Sequence, residues 1–343
     1  MQFSVLIATR NRPELFERAI ASVLANRNAD FEVIVIDDGT EPPFREQLDR
    51  LEARLVATEG ERVRFHHLPH RERGHGQSYV LNYAVDLALG DYVCFLDDDD
   101  YWIDPDHLAR AGRIIHRAAV RPVDLLFFDQ TAFERDIQID RPIWLEDLGP
   151  RLAIEAAPDS EGAYDVSVEQ LLTAAGHGHV NTTIVRRAFY AAVGGFDDEI
   201  RYECDRDFYL RAIDAAKLIK YVPSVMSRHN VPDPAAGQNM STIVTKIEKL
   251  RFRLSVLEKA ADGSMHLAIR DYARRHKAYT LKHLSLAAYA AGDLDQARTY
   301  AWRGLRYDFN FLWLLFSLYI NIREHVSSSI RRAGRQKSLN IGN

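Results

Sequence analysis

The sequence holds only two cysteines in 343 residues, Cys94 and Cys204, too few for a disulfide framework and in keeping with a reducing compartment. Cys94 lies inside an apolar run, where a thiol acts as a small hydrophobe. No apolar run approaches the ~20 residues needed to cross a bilayer. The opening Met1-Gln-Phe-Ser-Val-Leu-Ile-Ala-Thr-Arg10 carries no basic leader and reads as a first strand, not a signal peptide. The expected location is the cytoplasm. A net charge of -5, unsegregated except at the C-terminus, gives no reason to expect a nucleic-acid partner. Glycine-rich phosphate loops are also missing. No Gly-x-x-x-x-Gly-Lys-Ser/Thr run is present, which argues against a P-loop ATPase, and no Gly-x-Gly-x-x-Gly follows the first strand, which argues against an NAD enzyme. Ala8-Thr-Arg-Asn-Arg-Pro13 has no glycine, which counts against a sugar nucleotidyltransferase.

What the chain does have is Tyr92-Val-Cys-Phe-Leu-Asp97-Asp-Asp-Asp100-Tyr-Trp102, a short apolar strand running into four consecutive aspartates. Carboxylates this close repel one another, and burial penalises their charge further. A hard cation such as Mg²⁺ or Mn²⁺ removes both problems, because it takes oxygen ligands. Asp97 and Asp99 alternate along an extended chain, so the spacing predicts both on one side. A solvated acidic turn capping a helix near Pro105 is the plainer reading. The position at the carboxyl end of a buried strand, where open α/β sheets bind ligands, favours the metal. An EF-hand is excluded by Trp102, which stands where its loop needs glycine.

Strands expected at Phe3–Ala8, Phe31–Ile36, Val63–His67, Tyr92–Leu96 and Val123–Phe128 alternate with helices from Pro13, around Phe44–Val56 and over Gln77–Leu89. That alternation predicts right-handed crossovers and a mostly parallel sheet. Beyond Gln130 the pattern loosens into long loops, then regains order at Val180–Arg186, Phe189–Val193 and a helix near Asp205. The expected division is 1–235, with halves 1–130 and 131–235, followed by a helical region 236–343. Within that region Ala287–Tyr307 reads as a helical hairpin turning at Gly292-Asp293.

With these stretches in order, the chain resembles family 2 glycosyltransferases of the GT-A fold, an α/β, Rossmann-like architecture with a mostly parallel central sheet flanked by helices. The residues that carry the resemblance are Ser4–Arg12, Glu32–Thr40 with Asp37-Asp38-Gly39, Gly76-x5-Asn82, Ala88–Asp100, Gly194-Gly-Phe-Asp197 and Asp205-Arg-Asp207. It covers roughly residues 1–230, and the C-terminal helices extend beyond it. It implies an inverting enzyme that moves a sugar from a nucleoside diphosphate donor, UDP favoured, to a hydroxyl of a saccharide or lipid-linked acceptor in cell-surface polysaccharide synthesis.

The same resemblance implies nucleotide contacts at Thr9, Arg10, Asp38, Gly76 and Asp98. Metal ligation of Mn²⁺ or Mg²⁺ falls to Asp97, Asp99 and His229, and the general base to Asp205. Where the family shows Glu-Asp, this chain has Cys204-Asp205, which leaves Glu203 as a neighbouring candidate. Asp205 as a helix cap, Asp38-Gly39 as a plain turn and His229 as an ordinary core residue are the bland alternatives. His66, His67, His70 and His75 fit no zinc spacing and read as loop residues near the donor. A sugar nucleotidyltransferase, or a non-catalytic scaffold acting through the helical region, are the competing functions.

Near the C-terminus, Phe311-Leu-Trp-Leu-Leu-Phe-Ser-Leu-Tyr-Ile-Asn-Ile322 is strongly apolar, and five basic residues, Arg323, Arg331, Arg332, Arg335 and Lys337, follow against one acid, Glu324. A packed terminal helix or homo-oligomer contact is the first expectation; an interfacial anchor on an anionic membrane leaflet is the second.

Overall fold

Phe3, Val5, Leu6 and Ile7 are all buried, so the first strand is apolar on both faces, as a sheet covered on both sides requires. The computed structural model describes residues 2–118, 120–232 and 239–323. Its contacts divide the chain into two units, Met1–Ile243 and Val244–Asn343.

The first unit opens β1 (Phe3–Thr9), α1 (Pro13–Leu24), β2 (Phe31–Asp37), α2 (Pro42–Glu59), β3 (Val63–His67), α3 (Gln77–Leu87) and β4 (Tyr92–Asp97). Then come β5 (Tyr101–Trp102), α4 (His107–Arg117), β6 (Leu125–Glu134), β7 (Ile137–Gln138), α5 (Leu148–Glu155), β8 (Tyr164–Asp165) and α6 (Val168–Leu171). It closes with β9 (Thr183–Arg186), α7 (Arg187–Ala192), α8 (Cys204–Ala215), β10 (Ile219–Asn230) and α9 (Met240–Ile243).

The sheet runs β3-β2-β1-β4-β9-β6-β10-β5. β1 to β4 are parallel, β9 lies antiparallel between β4 and β6, and β10 runs parallel to β6. The expected mostly parallel sheet is therefore interrupted inside by the reversed β9, and the two-residue strands β5, β7 and β8 also pair antiparallel. Val180–Arg186, expected to be extended throughout, begins with a 3₁₀ turn over Val180–Thr182 before β9. Phe128, Leu126, Ile184, Val222 and Met226 join one apolar layer with the β1–β3 side chains and the inner faces of α1, α2 and α4. β10 carries Pro223 inside it. Its register with β6 slips between Val222 and Val225 and again before Ser227, so the proline falls at a bulge where no ladder N–H is required.

The second unit contains α10 (Lys246–Gly263), α11 (Leu267–Ala290) and α12 (Leu294–Tyr307), and a further helix over 311–323. Thr245 and Glu248 form a reciprocal capping box at the start of α10. Asp293 caps α12 through Gln296 N–H, after a left-handed Gly292 at φ 78°.

Candidate active site

The parallel register sets Thr9 beside Asp37 and Ala8 beside Asp97, so the carboxyl ends of β1, β2 and β4 finish level. β4 stops at Asp97, and the chain turns at once, Asp100 N–H bonding back to Asp97 C=O at 3.1 Å. Asp97 and Asp99 are thus brought together by a turn, not by alternation along an extended strand. Asp97, Asp99 and Asp100 each offer a carboxylate oxygen within 4.8 Å of the others.

The four aspartates have different surroundings. Asp98 is 1% exposed, takes the Thr9 hydroxyl at 2.8 Å and pairs with the Arg12 guanidinium. Burial pushes its carboxyl up to about 7, with Arg12 opposing. Thr9 and Asp98, both expected to touch the nucleotide, bond each other beneath the loop, where the Thr9 hydroxyl, the Arg12 guanidinium and the Arg10 backbone N–H meet the Asp98 carboxylate. Asp100 is fully buried, accepting from Asn181 Nδ2 at 2.5 Å and Asn230 N–H at 2.6 Å, with His229 Nδ1 2.7 Å away. Asp99 Oδ2 accepts from Asn239 Nδ2 at 2.5 Å and lies 3.4 Å from Arg12. Asp97 Oδ1 accepts from Gln77 Nε2 at 2.8 Å. Among the described residues, Asp97 Oδ2 and Asp99 Oδ1 accept no hydrogen bond. Burial, with Asp99 and Asp100 adding to it, raises Asp97 well above the usual carboxylate range.

These oxygens fit a hard divalent ion: each carboxylate keeps one oxygen for it while Gln77 and Asn239 hold the other, and the clustered aspartates supply excess negative charge. His229 uses Nδ1 on Asp100, so only Nε2 remains for a metal. Its ring stands against Trp144 and His179 at 5.1 and 5.3 Å, and the Asp100 carboxylate holds its pKa up despite burial.

Asp38 and Arg10 organise the loop before α3. Asp38 accepts from His75 N–H at 2.9 and 3.0 Å, with His75 Nδ1 2.6 Å away, and the His75 ring stacks on Tyr79 at 5.4 Å. Arg10 donates to Arg71 C=O at 2.7 Å, and Arg201 donates to Gly74 C=O at 3.1 Å. Gly76 precedes α3 at φ 98°, a backbone that side chains rarely adopt. Of the other histidines expected in loops, His66 and His67 lie in β3 instead; His67 pairs with Asp37 and Glu52, and His70 Nδ1 lies 3.2 Å from Gly39 C=O, so they share no centre.

Asp205 stands in the first turn of α8, not at the cap, which is Glu203 at φ 66°. Its Oδ1 accepts from Arg206 N–H at 2.8 Å and its Oδ2 lies 2.9 Å from His177 Nε2. Burial would raise this carboxyl, but His177 and then His179 and Arg206 outweigh it and hold the group well below the usual range. Glu203 pairs with Arg206 at 2.5 Å and its side chain is 7% exposed, against 24% for Asp205. The more open carboxylate is Asp205. Cys204 places its thiol 3.7 Å from Gln77 Oε1, so one side chain links the start of α8 to Asp97.

His177, His179, Asn181, Arg201, Asn230 and Asn239 are absent from the sequence-derived site. His179 is pushed down to about 3 by burial, with His229 and His177 adding to it. The available signal was Gly176-His-Gly-His179: a Cβ at Gly178 would stand 2.5 Å from the Phe127 ring, so glycine lets the backbone pass close enough to seat both histidines.

Residues 4–119 match the family described as glycosyl transferase family 2. Over that stretch, about a third of the chain, the sequence is similar to family 2 glycosyltransferases. The family match ends well short of residue 230, so Asp205 and His229 lie outside it. The succinoglycan biosynthesis protein ExoW of Rhizobium meliloti is 38% identical over 108 residues, 32% of each protein. The matched stretch thus spans about a third of that relative's length. In structure this chain resembles S. aureus TarS 1–349 in complex with UDP-GlcNAc, at TM-score 0.58 and 16% identity over 88% of this chain and 90% of that one. It also resembles the mannosyltransferase PcManGT of Pyrobaculum calidifontis, in complex with GDP-Man and Mn²⁺, at TM-score 0.54 and 16% identity over 93% and 84%. These likenesses establish the GT-A fold with its helical C-terminal region.

Proposed function

We propose that this chain transfers a sugar from a nucleoside diphosphate donor to an acceptor hydroxyl with inversion at the anomeric carbon. The observation that carries the reading is the pairing of two opposite carboxylate environments. Asp97 and Asp99 form a charge-rich pair with free oxygens at the end of β4, and Asp205 is held ionised by His177, linked to the first through Gln77. A divalent ion, Mn²⁺ or Mg²⁺, would neutralise the charge that grows on the departing diphosphate.

The chain's residues divide the remaining work. Asp97 Oδ2, Asp99 Oδ1 and His229 Nε2 would hold the ion. Arg10 and Asp38 position the loop carrying His75 and Gly76, whose stacked His75 and Tyr79 rings offer a flat edge for the nucleotide base. Asp205 Oδ2 takes the acceptor's proton as its oxygen attacks. The acceptor is a saccharide or lipid-linked saccharide contacted by 131–180. A role in polysaccharide synthesis is supported by the likeness to ExoW, and a UDP-sugar donor by the likeness to a TarS structure holding UDP-GlcNAc. Two free, buried cysteines support a cytoplasmic setting. A GDP-sugar donor is the second reading, favoured by the PcManGT likeness.

Calorimetric titration of UDP and GDP, each with Mn²⁺ and with EDTA, on wild type and Asp99→Ala, tests the proposal. UDP binding that requires both metal and Asp99 supports it. Tighter binding of GDP moves the donor, and binding of neither nucleotide with metal present overturns the catalytic reading in favour of a scaffold.

A further inference from the structure

The helix over 311–323 is apolar on opposite faces, with only Ser317, Asn321 and Arg323 polar, and each apolar face needs cover. One side has it. Ile320 and Ser317 are fully buried, and Ile320 packs with Ala288, Ala297 and Ala301 of α11 and α12, flanked by Trp313 and Phe316. Trp313 Nε1 donates to Ala301 C=O at 3.2 Å, which fixes the rotation of the helix about its axis. The opposite side is bare. Phe311, Leu312, Leu315, Leu318, Tyr319 and Ile322 are 64, 75, 48, 41, 48 and 65% exposed. At 3.6 residues per turn these six fall within an arc of about 120°. Phe309, just before the helix, is 70% exposed. The first expectation, a terminal helix that simply packs, accounts for one face only.

The geometry points to an anionic bilayer surface as the occupant of this stripe, with the helix lying in the interfacial plane. Three observations favour lipid over a second protein. A standard protein interface takes about 800 Å² and 20–30 residues from each partner, whereas here one helix face and its flanking phenylalanine supply the whole patch. An interfacial helix needs only such a face, together with cationic residues to hold it at anionic headgroups. The sequence provides them: Arg323 ends the stripe, and in the sequence that follows, outside the described residues, Arg331, Arg332, Arg335 and Lys337 stand against the single acid Glu324. The aromatic composition also fits. The Tyr319 ring lies in the bare face while its hydroxyl sits 3.2 Å from that of Tyr289, an apolar body with a polar end suited to headgroup depth. Among the described residues no helix is long and apolar enough to cross a membrane, so the contact is peripheral.

Full-length protein should be floated with vesicles of phosphatidylcholine alone and of equal parts phosphatidylcholine and phosphatidylglycerol, at low and high salt. Expected is binding to the mixed vesicles only, weakened by salt, and an at least ten-fold loss for the double substitution Leu315→Glu/Leu318→Glu with unchanged melting temperature. Should the glutamates impair folding, Leu312→Ser/Ile322→Ser on the same face should give a smaller loss of the same sign. Molecular mass in solution is measured alongside. No binding by wild type, or equal binding to the neutral vesicles, overturns the assignment. So does a variant that keeps its vesicle binding while its mass drops from dimer to monomer, because the stripe then covers a second copy of the chain.

Discussion

His177 Nε2 lies 2.9 Å from Asp205 Oδ2, while the other oxygen of that carboxylate accepts from the Arg206 backbone. Among the described residues, the buried His177 Nδ1 has no hydrogen-bond partner, so the imidazole's hydrogen bonding there runs through the carboxylate. A general base contributes about 10²–10⁴-fold to a rate. Asp205→Asn should therefore lower transfer by about that factor while UDP affinity stays within about two-fold. His177→Ala should lower kcat by roughly ten-fold or more with the donor KM unchanged. His177→Gln, whose amide can reach where Nε2 stands, should restore most of it. A donor KM that rises with the kcat loss would show His177 shaping the donor site instead.

The acidic cluster gives a pH dependence of known sign. Burial and the neighbouring carboxylates raise Asp97, and a metal can bind there only as the proton leaves. Mn²⁺ affinity, followed by electron paramagnetic resonance of the free ion, should rise with pH across a range above that of an ordinary carboxylate. Asp97→Asn should abolish that slope and weaken binding by at least ten-fold. A wild-type affinity independent of pH from acid to neutral conditions would mean Asp97 is not a ligand.

Residues 1–130 were largely readable from sequence because the first four strands are short apolar runs closed by turn-forming residues. β1 through β4 accordingly stand within one residue of the expected positions. Residues 131–235 were not, since their order depends on partners distant in sequence. β9 is only four residues long and defined by pairing with β4 and β6. β10 is hidden by Pro223, which a bulge accommodates. At the site, the run of aspartates was visible, but which of them faces inward was not. That depends on Thr9, Arg12, Asn181 and Asn230, residues 81 or more positions from the aspartates they hold, and no spacing rule connects them.

Arg12 and Asp98 make the buried ion pair of that set, their side chains 17% and 1% exposed. Removing one partner of a buried pair costs about 3–5 kcal/mol, chiefly by leaving the other charge uncompensated. Arg12→Met should lower the melting temperature accordingly. Asp98 titrates near 7 in the fold, above its unfolded value, so its contribution to stability is fully present in acid and is lost as pH rises towards and through 7. Without Arg12 opposing burial, the folded value moves higher still, and the loss should continue to higher pH. Urea melts at a series of pH values check this; equal slopes for wild type and Arg12→Met would argue against Asp98 as the responsible group.

Gly178 separates packing from chemistry on the acceptor side. A Cβ there would meet the Phe127 ring at 2.5 Å and the Tyr209 ring at 3.3 Å, both parts of the packed layer under α8. Overpacking of this kind costs about 1–3 kcal/mol. The strain cannot be relieved without moving His177 and His179, which flank the glycine and reach Asp205 and His229. Gly178→Ala should thus lose transfer activity well below its melting temperature, with metal-dependent UDP binding retained because the Asp97 loop is untouched. Phe127→Leu in the same background makes room for the methyl group and should recover activity. Recovery of stability without activity would place the histidines' contribution elsewhere than in holding the base.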